Sequence, residues 1–150
     1  MSDPRERPDA YVGYLLKRTQ AALRSGLDDA LRPLGLTAPQ YSCLRLLRHD
    51  QGISNSELAR RAFVTRQSMN TVVKGLHDRG LITRPQIAAL GRELPVTLTD
   101  AGVRAVEEAD VAADALEAVM VEGLTAADID RLSELLRGCA ERLEVAKGPS

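Results

Sequence analysis

A helix-start signal that occurs five times constrains the fold of this chain more than any other feature. In each copy a Ser or Thr that can cap a helix follows an apolar residue, and a second apolar residue comes four positions later. The five capping residues are Thr37, Ser54, Thr65, Thr99 and Thr125. A further helix is predicted before them, because apolar residues between about Tyr11 and Arg32 recur mostly at helical spacing. These starts divide the chain into six helices.

The helical spacing is interrupted once, between the fourth and fifth helices. The predicted helices cover about residues 11–32, 38–48, 55–62, 66–79, 100–122 and 126–146. In the interruption, residues 81–84 and 94–98 have the composition of two short strands, and the loop between them contains Gly91. Pro95 restricts the second strand to a sheet edge. The sequence thus predicts a mainly α fold with one small β-hairpin.

The chain's near-zero net charge conceals a basic middle segment. Residues 53–99 carry 7 basic and 3 acidic side chains, whereas residues 100–150 carry 5 and 12. A polyanion would therefore be bound by the middle of the chain. Aromatic residues make up only 3% of the sequence, which argues against a stacking platform for single-stranded nucleic acid.

Two short capped helices followed by a hairpin form the outline of a winged helix-turn-helix, whose second helix enters the major groove of DNA. In the fourth helix the apolar face consists of Met69, Val72, Val73 and Leu76. The outward side chains are able to meet base edges or, for the lysine, a phosphate: Gln67, Asn70, Thr71 and Lys74. After the capping Thr65, the first turn holds Arg66 and Ser68, where free N–H groups favour a phosphate.

No residue pattern in the sequence is typical of catalysis, of a cofactor or of a metal site. There is no nucleophile motif or phosphate loop, and His49 and His77 fall at predicted helix C-termini, where a cation is favourable. The chain is therefore expected not to be an enzyme. No apolar run approaches the ~18 residues of a membrane span, and the polar start is unlike a signal peptide. We expect a cytoplasmic protein of one domain, residues 1–150, that does not contact a membrane.

Four segments resemble the MarR family of bacterial transcriptional regulators. They are Thr37-Ala-Pro-Gln40-Tyr41 with Leu44 and Leu47, Glu57-Leu58-Ala59, Leu76-His77-Asp78-Arg79-Gly80-Leu81-Ile82, and Leu98-Thr99-Asp100-Ala101-Gly102. The resemblance covers about residues 10–145. It implies a repressor that binds a palindromic operator in double-stranded DNA as a homodimer. Residues of about 10–35 and 100–146 would be the N- and C-terminal dimerisation helices, and about 37–99 the winged helix-turn-helix with its two-stranded β-wing.

The resemblance also implies roles for particular residues. Thr65 through Lys74 match the recognition helix, and Ser54 and Asn55 match contacts to backbone phosphates. Arg92 matches an arginine at the tip of the wing that enters the minor groove. The wing departs from the family pattern, because its loop is apolar at residues 87–90 and its cations are Arg84 and Arg92 alone.

Members of the family commonly respond to small aromatic or phenolic acids, which implies a ligand site in this chain. Tyr11, Tyr14 and Arg18 on the first helix and Tyr41 on the second are the candidates to line it. Tyr14 and Arg18 are one helical turn apart, so both could meet one anion.

Two alternatives stay open at the level of the sequence. The apolar wing and the low net charge favour a winged-helix adaptor that binds protein rather than DNA, whereas the polar row of the fourth helix argues against it. A redox-sensing regulator would use Cys43 or Cys139, although both also fit as small hydrophobic residues.

Overall fold

Six helices and a two-stranded sheet follow one another in the predicted order within the described part of the chain. The structure is a computed structural model that describes residues 11–83 and 95–148. The helices are α1 (Val12–Leu31), α2 (Ala38–His49), α3 (Asn55–Arg61), α4 (Arg66–Asp78), α5 (Asp100–Met120) and α6 (Ala126–Lys147). Strand β1 (Ile82–Thr83) pairs antiparallel with β2 (Thr97–Leu98). The mainly α fold class with a small β-wing is confirmed.

All five predicted capping residues begin a helix in the structure. The hydroxyl oxygens accept hydrogen bonds of 3.0–3.3 Å from backbone N–H groups three residues later, for Thr37, Ser54, Thr65, Thr99 and Thr125. At α2 and α6 the Gln40 and Asp128 side chains accept from the N-cap N–H in return, which completes a capping box. Local sequence therefore fixes where these helices begin.

The core of the winged helix-turn-helix consists of apolar side chains from α2, α3, α4 and the sheet. Those with no exposed surface include Leu44, Leu47, Leu58, Met69 and Leu76. The chain divides within α5 into two compact units, one ending at Leu116 and one beginning at Glu117. The core just described lies in the first unit, as does Val106 of α5, which is also fully buried.

The start of α5 approaches the backbone just before β1 very closely. The Thr99 N–H donates to the Leu81 carbonyl at 3.1 Å, and the Thr99 hydroxyl donates to the Gly80 carbonyl at 2.7 Å. Gly102, in the first turn of α5, is buried against that same Leu81 carbonyl, so a Cβ at this position would overlap its oxygen. The absence of a side chain at Gly102 is what permits this packing.

Among the described residues of the predicted strand 94–98, Thr97 and Leu98 pair with β1, whereas Val96 forms a separate antiparallel bridge with Ile53. The segment before α3 therefore pairs with the second strand of the wing through this one bridge, which the hairpin prediction did not include.

Helix α6 carries an apolar stripe at helical spacing that the single chain does not bury. Leu132 and Leu136 are each 41% exposed and Leu143 is 65% exposed, while Ile129 and Cys139 are half-buried. The first turns of α1 show the same pattern, because Tyr11, Tyr14 and other apolar side chains there are exposed. Helical spacing indicates that a stripe is apolar, but it does not indicate which molecule covers it. No described helix is both long enough and apolar enough to cross a membrane.

Candidate nucleic-acid interface

The α3–turn–α4 segment has the connectivity of a helix-turn-helix motif. Helix α3 ends at Arg61, and Thr65 caps α4 four residues later. Phe63, in the turn, has a positive φ of 56° and is 88% exposed, while the Val64 N–H donates to the Ala59 carbonyl at 3.1 Å. The turn is therefore closed by a backbone hydrogen bond rather than by burial of its aromatic residue.

Helix α4 presents the two faces that its spacing predicts. Met69, Val73 and Leu76 are buried and Val72 is half-buried. The opposite, exposed face holds Thr65, Arg66, Gln67, Ser68, Asn70, Thr71 and Lys74. The polar row is thus a rigidly supported surface, because the core holds the helix on its other side.

Several residues of this row have intrahelical partners. The Thr65 hydroxyl donates to Ser68 Oγ at 2.9 Å and the Thr71 hydroxyl donates to the Gln67 carbonyl at 3.3 Å. Lys74 Nζ lies 2.7 Å from Asp78 Oδ2, and this hydrogen bond and charge lower the pKa of the Asp78 carboxyl. Both Lys74 and Asp78 are largely exposed, so the lysine can exchange this partner for a phosphate at little cost.

Two hydrogen bonds join the first turn of α3 to the exposed row of α4. Asn55 Nδ2 donates to Asn70 Oδ1, and Arg66 Nη2 donates to Ser56 Oγ at 2.5 Å. Ser54 and Asn55 are half-buried beside this contact. The structure therefore brings Asn55 together with Asn70. Sequence reasoning missed this pairing, because positions 15 residues apart on two helices carry no spacing signal.

The two wing cations, Arg84 and Arg92, lie outside the described residues, as does the apolar loop segment 87–90. Their predicted contacts with DNA stay predictions.

The four residues predicted to bind a ligand do not share one site. Tyr11, Tyr14 and Arg18 are exposed on α1, whereas Tyr41 is 4% exposed and its hydroxyl donates to Asp110 Oδ1 at 2.6 Å. Burial, together with that hydrogen bond, raises the pKa of Tyr41 to about 12. Arg48 Nη1 holds the other Asp110 oxygen at 2.8 Å. Tyr41 therefore ties α2 to α5 as a core residue.

A cavity of about 190 Å³ lies instead one to two turns farther along α1. Its polar lining groups are Gln20, Arg24 and Ser42, and the remainder is mostly apolar: Leu23, Leu27, Ala38, Pro39, Ala62, Val64 and Met69. None of the four residues that the sequence suggested lines it. The sequence did not single out Arg24, because its spacing from Tyr14 and Arg18 does not place the three side chains on one face of the first helix.

The two cysteines differ in their surroundings. Cys43 has no exposed surface, and burial raises the pKa of its thiol to about 12. Cys139 is half-buried, and Arg142 Nη2 lies 3.5 Å from its Sγ. Since the thiolate is the reactive form, Cys43 is chemically protected in the folded chain.

In a Cys139→Ser variant, where Cys43 is the remaining thiol, we expect alkylation by iodoacetamide at pH 8 to be strongly slowed in the folded protein and rapid in urea. Equal alkylation rates in the two solvents would show that Cys43 is accessible.

The raised pKa of Cys43 also makes the stability of the fold depend on pH. The thiol ionises near pH 9 in the unfolded chain and near pH 12 in the folded one. The contribution of the neutral, buried thiol to the free energy of unfolding is therefore present below pH 9 and is lost as the pH rises from 9 to 12.

Within the described residues, no three His, Cys, Asp or Glu side chains are grouped closely enough to hold a metal ion.

The chain matches known proteins along most of its length. Residues 36–92 match the MarR family model. The chain is 47% identical over 118 residues to the HTH-type transcriptional repressor Rv2887 of Mycobacterium tuberculosis, an alignment that covers 79% of this chain and 85% of that protein.

Two crystal structures of the Mycobacterium tuberculosis MarR family protein Rv2887 are also similar. The complex with DNA has a TM-score of 0.72 and 40% identity, covering 86% of this chain and 97% of the other. The complex with salicylic acid has a TM-score of 0.71 and 42% identity, covering 88% and 98%. With this identity over most of both chains, the protein belongs to the MarR family of transcriptional regulators.

Proposed function

We propose that this chain is a repressor that binds a palindromic operator in double-stranded DNA as a homodimer. The observation that carries the proposal is the exposed polar row of α4, held over a buried apolar face within the basic part of the sequence. The DNA complex of the similar Rv2887 protein supports it. A regulator of this kind acts on chromosomal DNA in the cytoplasm and needs no catalytic group.

Within this proposal the chain forms one MarR-like domain. Residues of about 10–35 and 100–146 supply the dimerisation helices, and about 37–99 the winged helix-turn-helix. Gln67, Asn70 and Thr71 face base edges in the major groove. The phosphate contacts come from Ser54, Asn55, Thr65, Arg66, Ser68 and Lys74. Arg84 and Arg92 are the cations of the wing, and Arg92 enters the minor groove.

Replacing Lys74 with alanine is expected to weaken binding to any duplex about equally. A phosphate contact carries no sequence information, so the slope of log affinity against log salt should become shallower by about 1. Fluorescence anisotropy with a labelled operator, at four salt concentrations, measures that slope.

Lys147→Ala is the matched control, because it removes the same exposed charge from α6, outside the proposed interface. The control should keep the parent's slope. Identical slopes for the parent and both variants would remove Lys74 from the DNA contacts.

We further propose that the cavity lined by Arg24 binds a small aromatic carboxylic acid. Its mostly apolar lining suits a ring, and the Arg24 guanidinium with the Ser42 hydroxyl suits a carboxylate. Arg24 lies 3.9 Å from Asp28 in an exposed pair, which a bound anion could replace. The salicylic acid complex of the similar Rv2887 protein supports this ligand class.

Titration calorimetry with salicylate separates this cavity from the site suggested by the sequence. Arg24→Ala should weaken binding about tenfold or more, since a hydrogen bond to a charged group is lost. Arg18→Ala should bind as the parent does. Weakened binding by Arg18→Ala together with parental binding by Arg24→Ala would instead indicate a ligand site near Tyr14 and Arg18.

A further inference from the structure

We propose that a trough lined by Arg32, Thr37, Gln40 and Thr71 receives one of the two sugar–phosphate strands that border the major groove, with Arg32 as a phosphate contact. The proposal rests on the proposed function, because it requires α4 to lie in the major groove. The residues assigned to DNA above lie at the start of α3, in α4 and in the wing. The trough extends that interface to the turn before α2.

The trough runs along one flank of α4. Its volume is about 680 Å³. Thr71 supplies the α4 side, Thr37 and Gln40 come from the start of α2, and Arg32 and Gly35 come from the turn that precedes α2. Thr71 also belongs to the exposed row of α4. The trough is therefore continuous with the proposed interface.

Protein flanks the exposed row of α4 on both sides. At 3.6 residues per turn, Asn70 lies about 60° to one side of Gln67 and Thr71 lies about 40° to the other. Asn70 meets Asn55 of α3, whereas Thr71 lines the trough. The part of the row that faces the bases therefore runs between the start of α3 and the trough.

The widths of the helix and of the groove place these two flanks over the two DNA strands. An α-helix with its side chains is about 10–12 Å across, and the major groove is about 12 Å wide. A helix that occupies the groove fills it, so the protein on either side lies over the phosphates that border the groove. The start of α3 then meets one strand, and the trough meets the other.

Two ion pairs border the trough. Arg32 Nη2 lies 2.9 Å from Asp29 Oδ1, and these side chains are 75% and 66% exposed. An exposed pair of this kind contributes little to stability, so Arg32 can exchange Asp29 for a phosphate. Arg24 and Asp28 line the trough as a second exposed pair, which adds no net charge.

A third arginine adds positive charge at the rim of the trough. Arg79, at the end of α4, donates through Nη1 to the Gly35 carbonyl at 2.7 Å. This hydrogen bond fixes the guanidinium beside the trough. The carbonyl is neutral, so the bond does not cancel the charge of Arg79. The trough thus combines the shape of a channel with the charge that suits a phosphate strand.

Gln40→Glu tests the trough while keeping the start of α2. Gln40 Oε1 accepts the Thr37 N–H at 3.1 Å, and a glutamate at this position of a capping box makes the same bond. The variant therefore adds one negative charge to the trough. Gln20→Glu is the control, because it adds the same charge to an exposed residue of α1 that does not line the trough.

Arg32→Ala tests the phosphate contact itself. Its matched control is Arg131→Ala on α6, because Arg131 forms an exposed pair with Glu134 three residues later, as Arg32 does with Asp29 three residues earlier. Both variants remove one exposed arginine from one exposed ion pair. Circular dichroism establishes that each variant is folded.

The experiment uses a duplex that the parent selects from a random library. Each phosphate of one half-site, on both strands, is replaced in turn by an uncharged methylphosphonate. The measured quantities are the ratio of affinities for the natural and the substituted duplex, and the slope of log affinity against log salt on the natural duplex.

In the parent and in Arg131→Ala we expect methylphosphonates at contacted phosphates of both strands to weaken binding about fivefold each. In Arg32→Ala the ratio should fall to about one at a phosphate of one strand, and the salt slope should become shallower by about 1. Gln40→Glu should weaken binding to the natural duplex about fivefold at low salt, whereas Gln20→Glu should weaken it less than about twofold because the added charge is screened from the strand.

Either of two results would overturn this inference while leaving the proposed function intact. One is an Arg32→Ala variant that keeps the parent's full pattern of sensitive phosphates, whatever its salt slope. The other is a Gln40→Glu variant that binds as tightly as Gln20→Glu. A parent that selects no duplex at all would overturn the proposed function as well.

Discussion

A Gly102→Ala variant is expected to lose about 3 kcal/mol or more of its free energy of unfolding, because its new methyl group overlaps a backbone atom. Flexible side chains can move away from an added Cβ, but the Leu81 carbonyl oxygen is a backbone atom that also accepts the Thr99 N–H. The first turn of α5 would have to move away from the sheet to relieve the overlap. Urea unfolding followed by circular dichroism measures the loss.

The matched control is Gly75→Ala in the middle of α4. A Cβ there would lie 3.4 Å from Nε2 of the flexible Gln40 side chain, so the helix has room for it. Alanine also favours a helix over glycine by roughly 0.8–1.0 kcal/mol, and the variant should be as stable as the parent or slightly more stable. If the two variants were equally stable, the close approach of α5 to Leu81 would be refuted.

The double variant Leu132→Glu, Leu136→Glu is expected to separate the proposed homodimer and to weaken operator binding about 100-fold or more. Both side chains lie on the apolar stripe of α6, and both are partly exposed in the single chain. Carboxylates there would be desolvated on dimerisation without partners. A monomer binds one half-site. It therefore loses the increase in affinity, a factor of about 10²–10⁴, that a dimer gains by binding two linked half-sites. Analytical ultracentrifugation and operator titration measure the two effects.

Arg137→Glu provides the control, since it places a carboxylate at an exposed, already charged position of the same helix. It should remain dimeric and bind the operator. A double variant that stays dimeric with parental affinity would show that the α6 stripe is not the dimer interface.

The helix starts and the fold class could be predicted because their physical causes are local. A cap at Thr37 or Thr125 depends on residues within one turn, and the apolar face of α4 depends on spacing that the sequence displays directly. The exposed row from Gln67 to Lys74 can be predicted from the same spacing, because it consists of the helix positions that do not belong to the apolar face.

The features that could not be predicted depend on contacts between distant parts of the chain. Asn55 meets Asn70 only because α3 packs on α4, and Tyr41 is a core residue only because Asp110 of α5 reaches its hydroxyl. The cavity beside Arg24 forms where α1 approaches α2, which no spacing within α1 reveals. The exposure of Leu132 and Leu136 has the same origin, since a stripe of apolar residues does not show whether its own chain or a second copy covers it.

Selection of genomic DNA by the purified protein at two salt concentrations tests the central claim most directly. The proposed function predicts enrichment of a palindrome whose two half-sites are spaced for two copies of α4. It also predicts an affinity for that site that falls steeply as salt rises, because phosphate contacts release counterions. Binding without enrichment of any sequence over bulk DNA, or no binding at either salt concentration, would contradict the account.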